Sequence, residues 1–227
     1  MSGPSNADAW GLPGVLKYFE TERTTTDHVY ASEWFFLKDK LREGLSVLDI
    51  GCAQGGFASV LSEHLSDFSY TGLDINSDMI KSARSKHPAA TFHVMNEGDF
   101  SVLGEQHFDL VLVLGILHLH ESWRQTVEAA WRNTGGALIF DLREVSGPSI
   151  EDKEQSFFRM NFGGGDHDAA TLPYNLINSA EALETVERIG EEAEKIKHYG
   201  YIHGVSGSAQ CPVDSVLFNT WCLERTC

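Results

Sequence analysis

The residues that could do chemistry gather around one turn. An apolar run, residues 46–50, contains Asp49 and passes into Gly51, with Cys52-Ala53-Gln54 leading on to Gly55-Gly56. Helical spacing begins again at Phe57. A short strand, a glycine turn and a helix are how an open α/β sheet offers bare backbone to a nucleotide-like ligand at its carboxyl edge. The next strand-like run, residues 69–74, ends at Asp74, about 20 residues on, where such folds hold a ribose diol. The spacing is not the G-x-G-x-x-G of dinucleotide sites, and no Gly-Lys-Ser/Thr follows, which excludes a phosphate P-loop. Farther on, the apolar stretch 108–117 runs into His118-Leu119-His120. Histidine can take a proton near neutral pH. His118 is the first candidate for a general base and His120 the second, against a plainer role bonding a ligand edge or a helix start.

Residues 47–57, followed by Gly72-Leu73-Asp74-Ile75, closely resemble motif I and the next acidic position of class I S-adenosylmethionine-dependent methyltransferases. The resemblance implies S-adenosylmethionine as cofactor. Asp49, Gly51, Cys52, Ala53 and Gly55 would lie at its methionine part, and Asp74 with Ile75 at its ribose. Gly98-Asp99-Phe100 resembles the family position where an Asp meets the adenine amino group and its neighbour packs on the ring; a Gly-Asp turn is the simpler account. Residues 108–118 resemble the fourth-strand motif, which lays the cofactor across the strand's end at Leu114; Asp109, at the strand's other end, reads as structural.

The implied reaction moves a methyl group from an activated sulfonium to a small metabolite. The protein must hold the acceptor atom in line and, for a hydroxyl, help remove its proton. The Asn-Pro-Pro-Tyr signature of many amino-group methylators is absent, which favours oxygen over nitrogen. A fainter similarity, through residues 32–37 and 203–206, is to members associated with bacterial surface-sugar biosynthesis, and suggests a sugar or surface-glycan precursor. The alternatives are a non-catalytic cofactor-binding regulator and, despite the missing third glycine, a nicotinamide-dependent oxidoreductase.

The positioning elements follow from the rhythm of the chain. Residues 1–14 read as a loose lead-in. Residues 15–23 and 27–43 read as helices, the second capped by Thr26, so that 1–43 form a lead-in and helical cap. Tyr30 and Trp34 on that cap are candidate substrate residues, although aromatics at helical spacing are more often core. From there to residue 227 strands and helices alternate as one domain: strands at 46–50, 70–74, 91–95, 108–114 and 137–142, and helices at 57–65, 77–86 and 121–133. The pair Gly135-Gly136 reads as a break. Such alternation predicts a Rossmann-like, mostly parallel α/β sheet with helices on both faces. Two late strands, 198–203 and 215–223, would close it as an antiparallel hairpin, and the resemblance implies seven strands in the order 3-2-1-4-5-7-6.

Residues 144–178 interrupt the alternation and read as a mobile flap carrying aromatic residues, a triple glycine and Tyr174. Asp166-His167-Asp168 within it cannot all face one ion, so no metal site is expected. Asn178, with Glu181, predicts a capping box for a helix to about residue 197. Arg143 could bind a substrate carboxylate or pair with Glu144. Tyr201 and His203, alternating on the first late strand, could line an acceptor pocket or simply pack.

Composition limits the partners. The formal net charge is −16, with 17 Lys and Arg against 33 Asp and Glu, which disfavours nucleic acid and anionic membranes. The start shows no signal peptide, and no apolar run is long enough to span a bilayer. Four cysteines without a C-x-x-C pair read as reduced thiols in a cytoplasm. A homodimer is compatible with all of this.

Overall fold

The computed structural model describes residues 6–160 and 170–226. In chain order the helices are α1 (Asn6–Trp10), α2 (Pro13–Tyr18), α3 (Ala31–Leu37), α4 (Gly56–Ser62), α5 (Ser77–Lys86), α6 (Trp123–Arg132) and α7 (Ser179–Ile189). The strands are β1 (Leu45–Ile50), β2 (Phe68–Asp74), β3 (Thr91–Val94), β4 (Phe108–Val113), β5 (Thr134–Val145), β6 (Phe157–Arg159), β7 (Thr171–Pro173), β8 (Ile177–Asn178), β9 (Lys195–Gly204), β10 (Ala209–Gln210) and β11 (Ser215–Glu224).

The main sheet runs β3-β2-β1-β4-β5-β11-β9, with β8 as a parallel addition to β5. The first five strands are parallel. The late pair is antiparallel, and β11 enters between β5 and β9. Counting β9 and β11 as sixth and seventh, this is the expected 3-2-1-4-5-7-6. The period-two alternation of a strand explains the two cores. Val47, Leu110 and Leu112 pack with α4 and α5 on one face, and Leu48, Val111 and Val113 pack with α6 and α7 on the other. Residues 110–113 of β4 are therefore apolar without a break, as a strand covered on both sides requires.

Several boundaries differ from the sequence reading. The first cap helix stops at Tyr18, and the chain then turns to Arg23, whose φ of 60° is left-handed. The second is broken into a 3-10 turn at Thr26–His28, α3, and a 3-10 turn at Lys38–Lys40. Thr26 does not cap it: its hydroxyl and N–H go to the Glu63 carboxylate. At α3 the Glu33 carboxylate accepts the Tyr30 N–H at 3.0 Å. Asn76, one residue before Ser77, caps α5 by accepting from the N–H groups of Asp78 and Met79.

Gly135-Gly136 does not break the chain but lies inside β5. A Cβ at Gly136 would stand 2.4 Å from the Asp109 carbonyl oxygen, so the bare backbone is what lets β5 begin early against β4. Asn178 caps α7, accepting from Ala180 and Glu181, but the Glu181 carboxylate bonds Ser149 rather than closing a capping box, and the helix ends at Ile189.

Among the described residues, much of the expected flap is strand-paired. β6 pairs with β7 and β10 in a second, three-stranded antiparallel sheet, and β8 joins the main one. Asn175 ties this layer to the segment after β4, giving its N–H to the His118 carbonyl at 2.8 Å and its amide to the His120 carbonyl at 2.7 Å. The triple glycine and Asp166-His167-Asp168 lie outside the described residues. Among the described residues no helix is long and apolar enough to cross a membrane, and no cluster of three or more His, Cys, Asp or Glu could hold a metal ion.

Candidate active site

A cavity of about 300 Å³ opens at the carboxyl ends of β1, β2, β4 and β5, beneath the N-terminal helices. Its floor begins at Gly51, whose φ of 81° is the left-handed conformation glycine adopts without strain. The N–H groups of Gly51 and Cys52 both reach the Leu73 carbonyl, which locks the turn onto β2. Ala53 is also left-handed, at φ 47°, and that bend aims its N–H at the Asp74 carboxylate at 2.9 Å. Asn76 N–H holds the other Asp74 oxygen at 2.8 Å. Burial pushes the Asp74 carboxyl up to about 6, with these backbone N–H groups pulling against it. The pinned carboxylate lines the cavity with Ile75, and Gly98, Phe100, Leu114 and Gly115 face it.

Four of the candidate cofactor residues stand back from the cavity lining. Asp49 is buried under the turn, where it accepts the Tyr70 hydroxyl and burial pushes its carboxyl up to about 7. Cys52 is buried, and burial with Asp74 and Asp49 nearby raises its thiol far above the ordinary value, the mark of an inert packing thiol. Gly55 caps α4 at φ 79° and faces His87 and Phe92. Asp99 is exposed and accepts the Ser101 N–H, while Glu97 and Phe100 on either side reach the cavity.

On the other side the cavity is lined by His118, His120, Arg143, Tyr174, Tyr30 and His203. His118 is buried, edge-on to Tyr174 with ring centroids 5.6 Å apart, and its Nδ1 has no hydrogen-bond partner. Burial first, then Arg143 and His120, push its pKa well below the ordinary value, so the ring is neutral. His120 lies 3.3 Å from Ser122 Oγ and 3.7 Å from Glu97; burial lowers its pKa and Glu97 opposes that. Arg143 is 8% exposed, bonded to the buried Asp141 carboxylate, with its guanidinium 3.7 Å from the Phe218 ring centroid. The same Asp141 accepts the Gly115 N–H, so one carboxylate fixes both Arg143 and the backbone after β4.

Trp34 and Tyr201 do not line the cavity. Trp34 packs on the core beside His64, and Tyr201 stacks behind Phe218 with the rings 7° from parallel. The sequence reading missed Arg23, Phe218 and the aromatics Trp10, Tyr18 and Phe19, all of which line the cavity. Arg23 bonds Glu33 at 3.0 Å and lies 5.0 Å from the rings of both Tyr30 and Phe57. Burial opposes its charge, but Glu33 beside it outweighs that and keeps it cationic. Nothing in the spacing marked Arg23. Trp10 lies in the stretch that reads as a loose lead-in, and Tyr18 and Phe19 lie on the first cap helix, where aromatics at helical spacing are more often core.

A family model described as "Methyltransferase domain" matches residues 48–138. The probable phthiotriol/phenolphthiotriol dimycocerosates methyltransferase 2 of Mycobacterium ulcerans is 34% identical over 180 residues, 76% of this chain and 68% of that protein. The fatty-acid O-methyltransferase of Mycolicibacterium smegmatis is 40% identical over 80 residues, 34% of this chain and 29% of the relative. Against the corresponding M. tuberculosis phthiotriol/phenolphthiotriol enzyme the match spans 38% of its length, so the chain covers only about a third of these two relatives. Among solved structures, the N-terminal domain of EvdMO1 with SAH bound superposes at a TM-score of 0.58 with 13% identity, covering 84% of this chain and 78% of that one. An S-adenosylmethionine-dependent methyltransferase from Mesorhizobium loti gives 0.56 and 18%, covering 86% and 98%. At these identities the structural likeness speaks to the fold.

Proposed function

We propose that this chain, which belongs to the class I S-adenosylmethionine-dependent methyltransferase family, transfers a methyl group to an oxygen atom of a small, largely apolar acceptor. The observation that carries the reading is that one cavity joins the pinned Asp74 carboxylate to the neutral His118.

The residues present fit the cofactor. Asp74 offers two fixed oxygens to a diol, with Ile75 beside it. Gly98 and Gly115 carry open space where a Cβ would stand, so a ligand can approach bare backbone there. Phe100 gives an apolar face for a flat ring, and the turn at Gly51 and Ala53 takes the methionine end. Arg23, which lines the cavity near Phe57 at the start of α4, would meet that end's carboxylate. Asp99, turned toward Ser101, has no part in this arrangement.

When bound, S-adenosylmethionine supplies a methyl group already activated by its positive sulfur. The protein's share is to hold the acceptor oxygen in line, keep water out and accept a proton. His118 suits the last task. It is held neutral, and with Nδ1 unpartnered no protein group fixes its tautomer, so the nitrogen facing the acceptor can be the basic one. For a hydroxyl acceptor, His118 would take the O–H proton, and the cofactor would supply the methyl group. One relative is named for O-methylation of fatty acids, which supports oxygen and an apolar acceptor body, in agreement with the aromatic lining. No such support attaches to a sugar precursor.

Calorimetric titration with S-adenosylmethionine, S-adenosylhomocysteine and NADH tests the reading. The first two should bind and NADH should not, and Asp74→Ala should weaken both at least tenfold. NADH binding, or no binding by any of the three, would overturn it.

A further inference from the structure

We propose that the acceptor carries a carboxylate, and that Arg143 is its anchor. The inference rests on the methyltransferase reading and narrows it to a substrate class: carboxylic acids with an apolar body.

Arg143 is a buried cation in a strongly acidic chain, and its placement is unusually determined. Asp141 holds Nη1, and the Phe218 ring covers the flat face of the guanidinium at 3.7 Å. Phe218 is itself backed by Tyr201 and flanked by Tyr30. Such a stack leaves the edge of the guanidinium, not its face, to meet other groups.

That edge is underused. A guanidinium has five N–H donors in a planar fork. Asp141 takes one position, and the Tyr174 hydroxyl lies beside the group. Among the described residues, the buried side-chain nitrogen and oxygen atoms without a partner are His118 Nδ1 and Asn219 Oδ1. Arg143 lines the cavity, so the donors not taken by Asp141 or Tyr174 can reach a ligand there. A planar fork of donors at the wall of a largely apolar cavity is the recognition element of a carboxylate.

Charge favours a single negative group. Arg23 is paired with Glu33 and Arg143 with Asp141, and Asp74 and Glu97 also line the cavity, so each further negative charge on a ligand meets repulsion. A phosphate dianion would bring twice the charge of a carboxylate to the side of the buried Asp141. Position favours the chemistry as well. Tyr174 borders both Arg143 and His118, so an acid held at Arg143 keeps its body next to the candidate base.

The test is calorimetry on the full chain preloaded with S-adenosylhomocysteine, using octanoate and benzoate as probes beside octanamide, benzamide and phenyl phosphate. The acids should bind at least tenfold tighter than their amides, and phenyl phosphate no tighter than benzoate. Arg143→Gln should erase the difference between acid and amide while changing S-adenosylhomocysteine affinity less than threefold. Arg143→Lys keeps the charge for Asp141 but loses the fork, and should recover only part of the preference. Equal binding of acid and amide, equal weakening of both by Arg143→Gln, absence of binding by both acids, or preference for phenyl phosphate would overturn the proposal. Failure of S-adenosylhomocysteine to bind would instead overturn the methyltransferase reading beneath it.

Discussion

His118 shows how much environment adds to a residue type. In the sequence it was a histidine near the end of an apolar strand, eligible as base, ligand or packing residue. Its ring is buried beside a cation, and both conditions disfavour the charged form. Sign decides the consequence. A histidine whose pKa lies well below its ordinary value is in its proton-accepting form throughout the neutral range, so no acid limb from His118 should appear near neutral pH. With a hydroxyl acceptor, His118→Gln should lower kcat roughly 100-fold while leaving S-adenosylmethionine affinity within a few-fold. A loss confined to KM would show that the ring only positions the acceptor. Asp74 was legible for a different reason: one carboxylate at the end of a strand, a fixed interval after a glycine turn, leaves few other tasks. Asp99 shows the limit of such motif reading, because a Gly-Asp turn has the same sequence whether its carboxylate faces a ligand or its own backbone, and here it caps Ser101.

Among the elements, the five parallel strands were readable because burial on both faces leaves runs such as 110–113 without a polar residue. The cap and the layer from β6 to β8 were not, because their order comes from distant contacts. Ser156 gives its hydroxyl to the Tyr174 carbonyl, and Asn175 bridges to His118 and His120, pairings across intervals that local spacing cannot encode. The seat of the cap is similarly hidden. Gln54 bonds the Leu16 carbonyl, Asn76 bonds the Ala7 carbonyl, and a Cβ on Gly56 would stand 2.4 Å from the Arg23 carbonyl oxygen. Gly56 thus serves closeness between the cap and α4, with Arg23 in a left-handed turn at the point of contact. Gly56→Ala must displace backbone, so it should cost about 1–3 kcal/mol of stability and, by moving Arg23, weaken S-adenosylmethionine binding. Gly147→Ala, where a Cβ meets nothing within 4 Å, should leave both unchanged. Equal melting temperatures for the two variants would show that the cap is not seated through Gly56.

At the scale of the whole molecule, charge and site pull in opposite directions. A net charge of −16 surrounds the protein with a negative potential, and an acid bound for Arg143 must cross it. Inside the cavity the attraction is short-ranged, desolvated and little affected by salt; outside, the repulsion is long-ranged and screened over about 10 Å at 0.1 M ionic strength. Raising ionic strength from about 20 to about 200 mM therefore removes more of the penalty than of the attraction. An anionic acceptor should bind more tightly as salt rises, on the order of a few-fold, which is opposite to the weakening usual when an anion meets a basic surface. Its amide carries no charge and should show no trend, and S-adenosylmethionine, whose ammonium and carboxylate cancel and whose sulfonium leaves a net positive charge, should bind somewhat more weakly as salt rises. The three slopes separate the contributions. A rise for the acid alone places its charge in the field of the whole chain and its recognition at a local cation, whereas weakening of the acid with salt would mean that an exposed basic patch, not Arg143, receives it.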